Sequence, residues 1–173
     1  MARFLNRAVA VSVRDEVSRE TLGRCGVHDV TVTADAAFAL PVHVGLLSAL
    51  AALTTETARV ADVHVVRSFA PGLPALEPDV ELVVYRVAQE ALTNVSRHAR
   101  ARTVEVSLTR RGDRVVLRVV DDGRGIKGTR EGSGIAGMRE RARLVDAELD
   151  VRPAENGGTE VELVVPVRAQ DHA

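Results

Sequence analysis

From residue 79 onward the chain sorts cleanly into periodic segments. Val80, Val83, Val84, Val87, Ala91, Leu92 and Val95 recur at three- and four-residue steps, the spacing of one helix face. Pro78 and Asp79 stand where a helix start is expected. In "RTVEVSLTR" the apolar positions Val104, Val106 and Leu108 alternate, which predicts a strand. "RGD" then reads as a turn and "RVVLRVVDD", 114–122, as the returning strand of a hairpin. A glycine-rich loop spans 123–134. "GIAGMRERARLVDA" predicts a helix, and "ELDVRPAENGGTEVELVVPV" a second hairpin turning at "ENGG".

Upstream, "HVGLLSALAALTTETARV" predicts a helix, "DVHVVRSF" a strand and "APGLPALEP" a proline-rich loop. In the first forty residues "AVAVSVR" and "VHDVTVT" alternate like strands, and "RDEVSRETLG" reads as a short helix ending at Gly23. The expected division is an N-terminal segment 1–40, one domain over 41–168 and a tail 169–173. Few helices serve many strands, and the strands come as hairpins. That order predicts an α+β fold: a two-layer sandwich with helices on one face of a mixed, largely antiparallel sheet, not a doubly wound parallel one.

Composition narrows the function. Aromatics are only 2% of the chain, so Val, Leu and Ala must build the core, and base stacking has little to work with. Net charge is −1, without the basic excess of a nucleic-acid footprint, so no direct nucleic-acid binding is expected. The single cysteine, Cys25, cannot form an internal disulfide or a thiolate metal site. The longest apolar run, "VGLLSALAAL", is too short to cross a bilayer, and no leader with a cleavage site is evident at the N-terminus. A cytoplasmic chain without a membrane segment is the expectation.

Three motifs carry chemistry. In "EALTNVSRHA", Glu90, Asn94, Arg97 and His98 stand three and four apart on one polar helix face. An amide oxygen can ligate a hard cation such as Mg²⁺. A carboxylate one turn away can hold water or accept a proton, and the basic groups beyond can meet phosphate. Alone, the same face would also suit a solvated helix. In "DDGRG", Asp121 ends a β-branched strand, and Gly123 and Gly125 let the backbone turn and come close to a ligand; alone it is an Asp-Gly turn. "GSGIAG" places Gly132, Ser133, Gly134, Ile135 and Gly137 at a helix start, whose N–H groups suit an anion. It is not a dinucleotide fingerprint, because a loop precedes it and a hairpin follows, and no P-loop lysine occurs. Taken together and in this order, the three point to a metal-assisted nucleotide.

The three motifs resemble, in order, the N-box and the two glycine boxes of the ATP-binding domain shared by DNA gyrase, one class of heat-shock chaperones, sensor histidine kinases and MutL proteins, the GHKL group with its Bergerat ATP-binding fold. "YRVAQEALTNVSRHA" with "GIAGMRERA", and the short loop 125–132, is more narrowly similar to catalytic domains of nitrate-sensor and desaturase-sensor type histidine kinases. The resemblance implies ATP and Mg²⁺ as cofactors, with Asn94 the metal ligand and Glu90 a general base or water-orienting carboxylate. It puts Arg97 and His98 near the phosphates and Asp121 on the adenine amine, with Gly123 and Gly125 shaping the pocket. It implies that Gly132, Gly134 and Gly137, with Ser133, start the lid helix. Ile126 and Ile135 would wall the adenine, Thr159 would bound the back of the pocket, and Lys127 and Arg130, in the lid, would either reach phosphate or stay as solvated charges. The implied activity is transfer of the γ-phosphate to a histidine and relay to a response regulator, often one with helix-turn-helix output.

The chain departs from that pattern before the ATP domain. A kinase of this type needs a dimerising helical hairpin carrying the acceptor histidine. Here His28 stands in "RCGVHDV", between a glycine and strand-like residues, and the match is only "HD". His43, His64 and His172 have no such context. The acceptor and dimerisation domain are therefore expected in trans. Two alternatives stay open: a stand-alone relative such as an anti-sigma-factor serine kinase, or a nucleotide-binding module without phosphotransfer.

Overall fold

The computed structural model describes residues 11–13, 30–32, 45–125, 132–155 and 157–167. The chain divides into two compact units, Met1–His43 and Val44–Ala173. In the first, two short strands, β1 (Val11–Val13) and β2 (Val30–Val32), pair in parallel within the two alternating segments. The expected helix around "RDEVSRETLG" and residues Cys25, His28 and His43 lie outside the described residues, as does His172 in the tail.

The second unit begins with α1 (Leu46–Ala61), then β3 (His64–Phe69) and α2 (Pro78–Asn94), which runs into a π-turn (Val95–Ala99). β4 (Thr103–Arg111) and β5 (Arg114–Asp121) form the first hairpin; α3 (Ser133–Arg143) follows, and β6 (Glu148–Pro153) and β7 (Thr159–Pro166) form the second. The sheet order is β3-β4-β5-β7-β6, with β3 parallel to β4 and every other pair antiparallel. This is the mixed, largely antiparallel sheet that the segment order predicts.

Strand alternation gives the sheet two unlike faces. On the inner face Leu108, Leu117, Leu163 and Leu149 line up across four strands, and Val106, Val119, Val161 and Val151 form the next row. These rows and the buried stripe of α2, from Val83 to Leu92, belong to one core. Burying each such side chain contributes roughly 1.5–3 kcal/mol; the buried core is aliphatic apart from Met138, with Phe69 and Tyr85 packed against its edge. α1 adds Leu46, Ala49 and Leu50, and its buried Thr54 and Thr57 satisfy their hydroxyls on the carbonyls of Leu50 and Leu53. The outer face carries charge instead. Glu160 there, almost fully buried, accepts from Arg118 Nε at 2.7 Å and from Arg152 Nη2 at 2.7 Å. Among the described residues no helix is long and apolar enough to cross a membrane.

Candidate functional site

The inner face of β5 reads Val115, Leu117, Val119, Asp121. The last inward position, opposite Val104, is thus a carboxylate, only 5% exposed. Burying it demands hydrogen bonds. Its Oδ1 accepts from the Gly123 N–H at 2.8 Å and its Oδ2 from the Thr159 N–H at 3.2 Å. Burial pushes the Asp121 carboxyl above its ordinary range; the N–H groups of Gly123 and then Thr159 oppose the shift, and the neighbouring Asp122 charge adds to it. An ionised carboxylate has about four lone-pair directions. Two are used by the backbone, and Asp121 lines a cavity where the others can act.

The adjacent Asp122 does different work. Its Oδ1 accepts from the N–H groups of Arg102 at 2.7 Å and Thr103 at 2.9 Å, tying the end of β5 to the start of β4. The Thr103 hydrogen bond, partly offset by burial and helped by Arg102, holds this carboxyl below its ordinary range. Of two neighbouring carboxylates, one staples strands and the other faces the cavity.

The glycines of loop 123–125 are required by contact. A Cβ on Gly123 would collide with the Ala99 carbonyl oxygen, and Arg124 N–H donates to that same oxygen at 2.9 Å. A Cβ on Gly125 would sit 2.9 Å from the Gly158 carbonyl oxygen, and one on Gly158 would collide with the backbone of Asp121. The end of the π-turn, loop 123–125 and the turn before β7 therefore meet backbone to backbone around Asp121.

The helix face departs from uniform spacing. Glu90 and Asn94 sit on α2, but Arg97 and His98 sit on the π-turn. Thr93 and Ser96 hydroxyls bond back to the carbonyls of Gln89 and Leu92, a habit that loosens and bends helices. The wider turn buries Val95 and Ala99 and leaves Arg97 and His98 exposed, and Arg100, in the left-handed region at φ 53°, ends it. Single π-turns of this kind occur frequently at functional sites.

Glu90, Asn94, Arg97 and His98 face Asp121, Gly125 and Thr159 across one cavity of about 650 Å³, with Gly132, Ser133, Gly134 and Ile135 of the α3 start on its wall. A helix start presents N–H groups without intrahelical partners, and Gly132, the N-cap, makes no side-chain capping bond. Two expected positions stand apart. Gly123 supports Asp121 from behind, and Gly137 is turned toward the Arg141 guanidinium, which a Cβ would meet at 3.1 Å. Ile126, Lys127 and Arg130 lie outside the described residues. His64 is exposed on β3. Sequence reasoning missed the floor, Val119, Val151, Val161 and Met138, because their periodicity marks them only as core. It also missed Gly158, whose "GG" signal read as a plain turn. Among the described residues no three His, Cys, Asp or Glu side chains cluster as a metal cage. The oxygen donors of Asn94 and Glu90 suit a hard cation that shares its shell with ligand phosphates.

An open α+β sandwich with a cavity of apolar floor and polar rim between its helices and the inner face of its sheet has known relatives. The profile of the family described as "Histidine kinase-, DNA gyrase B-, and HSP90-like ATPase" matches residues 79–169, and the chain belongs to that family. A polysaccharide pyruvyl transferase profile matches residues 1–71, a stretch that includes α1 and β3 of the second unit. The chain is 42% identical over 95 residues to the oxygen sensor histidine kinase NreB of Staphylococcus carnosus, a match spanning 51% of this chain but 27% of that protein. The fold matches the histidine kinase domain of a blue-light activated histidine kinase from Erythrobacter litoralis, with a TM-score of 0.59 at 23% identity, over 70% of this chain and 59% of that one. It likewise matches the ATP binding domain of PrrB from Mycobacterium tuberculosis, with a TM-score of 0.56 at 23% identity, over 73% of this chain and 96% of that one.

Proposed function

We propose that residues 41–168 bind Mg-ATP as the catalytic domain of a sensor histidine kinase. The observation that carries the reading is Asp121: a buried carboxylate, held by two backbone N–H groups, that opens onto the same cavity as Asn94 and Glu90. Its remaining lone pairs suit an exocyclic amine, while Val119, Val161 and Met138 provide an apolar bed for a flat ring. Ile135 and Thr159 bound that end of the pocket. At the other end Asn94 would hold Mg²⁺, and Arg97, His98 and the N–H groups at the α3 start would meet phosphate oxygens. Bound Mg²⁺ would neutralise charge on the phosphates. Glu90 orients or deprotonates the attacking group. The imidazole nitrogen of an acceptor histidine attacks the γ-phosphorus. The bond to the β–γ bridging oxygen breaks, its electron pair leaves on ADP, and the imidazole proton passes to a base.

The acceptor histidine belongs to a domain outside this chain in this reading, and phosphate then passes to a response regulator, of helix-turn-helix output type, in the cytoplasm. The 42% identity to a sensor histidine kinase supports this reading over an anti-sigma-factor serine kinase. Calorimetric titration with Mg-ATP tests the site: the parent chain should bind, and Asp121→Ala should not. Incubation with γ-labelled Mg-ATP tests the transfer. Acid-labile, base-stable label should appear only when an acceptor domain is added, and binding by Asp121→Ala equal to the parent's would overturn the pocket assignment.

A further inference from the structure

Gly134 has no backbone reason to be glycine. It lies in the first turn of α3 and is not among the residues with positive φ. In a helix interior alanine is the better former. The reason is spatial. A Cβ on Gly134 would run into Glu90 Oε1 and come to 3.0 Å from Glu90 Cδ and 3.5 Å from Cγ. This obstacle differs in kind from those at Gly123 and Gly158, where the nearest colliding atoms are backbone and cannot swing aside. Here the obstacle is the far end of a flexible side chain, so a methyl group would displace the carboxylate and leave the helices where they are.

We infer that Gly134 is a positioning residue for Glu90. The missing side chain is the seat that lets the α2 carboxylate stand against the first turn of α3. Both residues line the same cavity, and a carboxylate is favoured beside a helix N-terminus. The seat couples the first turn of α3 to the carboxylate: Glu90 keeps its place only while position 134 carries no Cβ, and a methyl group there pushes it aside without moving the helix. The inference rests on Glu90 serving the nucleotide. It assigns the glycine a job other than supplying flexibility to the lid.

The test pairs a nucleotide-free signature with a double-mutant cycle on the full chain. With ¹³C-labelled glutamate, the Glu90 carboxyl resonance is identified by its loss in Glu90→Ala. Gly134→Ala should shift that resonance while the melting temperature stays level or rises. In calorimetry with Mg-ATP, Gly134→Ala should weaken binding about tenfold in the parent and hardly at all in the Glu90→Ala background, because contacting residues couple. An unmoved resonance, or an equal loss of affinity in both backgrounds, would overturn the seat. A parent chain that fails to bind Mg-ATP would sink the nucleotide reading instead, and the carboxyl resonance would still decide the contact.

Discussion

The Asp121 carboxylate accepts the backbone N–H of Thr159 at 3.2 Å, across 38 positions of sequence. The β5–β7 ladder ends with Val120 opposite Glu160, and at the next position a side chain takes the place of a backbone acceptor. One contact thereby closes the β5–β7 ladder, orients the carboxylate and sets the start of β7 at the back of the cavity.

Asp121→Asn keeps the size of the side chain but only one of its two acceptor oxygens: with the amide oxygen on the Gly123 N–H, the NH₂ cannot accept from Thr159 or from a ligand amine. Mg-ATP affinity should fall by about tenfold or more, as when a buried donor is left unpaired, while the variant still melts cooperatively. Calorimetry beside a thermal melt checks both.

The raised carboxyl of Asp121 gives nucleotide affinity and apo stability opposite pH trends. Ionised Asp121 is the acceptor, so affinity should fall as pH drops through its raised value, which lies above 3.8. Burial disfavours the ionised form in the fold, so this group's contribution to stability declines as pH rises from 3.8 through the raised value. Affinity and urea-melt profiles of the parent against Asp121→Asn isolate both trends, and a parent affinity profile as flat as the variant's would refute the assignment.

Asn94→Ala should remove most of the gain in ATP affinity that Mg²⁺ confers, and leave binding measured in chelator close to the parent's. Titrations with and without the metal compare the two. A variant that keeps the full Mg²⁺ gain would show that another oxygen holds the ion.

Gly158→Ala drives a methyl group into the backbone of Asp121 at a φ of 79°, with nothing flexible to yield. It should cost about 2–4 kcal/mol from strain and lost packing. Gly112 shares the left-handed backbone at φ 64° but has open space around it, so Gly112→Ala should cost only about 1–2 kcal/mol. Urea unfolding of the pair separates conformational strain from collision.

On the outer face, Glu160→Gln removes the negative charge that two arginines share at a nearly buried carboxylate. The half-exposed arginines lower the expected loss to roughly 1–2 kcal/mol. Arg118, then Arg152, hold the Glu160 carboxyl below its ordinary 4.5 despite its burial. Its contribution is therefore present above that value and is lost as pH falls through the lowered one. The difference between parent and variant in urea melts should shrink in acid.

Met138→Ala should cost about 2–5 kcal/mol, the range for emptying a fully buried methionine site, because Met138 is 0% exposed. Since Met138 also floors the cavity, Mg-ATP affinity should fall with stability.

Much of this was legible along the chain. The 3.6-residue stripe of α2 and the alternation of β4, β5 and β7 name the elements, because each element buries one face and local geometry sets the period. Glu90, Asn94 and Asp121 stood out as polar residues on or beside apolar patterns. The π-turn did not, since Ser96 and Thr93 are ordinary helix residues until their hydroxyls choose a carbonyl. Nor did the different jobs of Asp121 and Asp122, which share a residue type and differ only in which face of β5 each one meets.

The sequence by itself determined the elements, their order and the three polar motifs, since periodicity and turn chemistry act over a few residues. Only the tertiary structure decided that Ala99, loop 123–125 and Gly158 touch backbone to backbone, that Thr159 reaches Asp121, and that Gly134 makes room for Glu90. Those contacts join segments far apart in the chain. They depend on how the sheet pairs β5 with β7 and on how α2 and α3 pack, which no local pattern encodes.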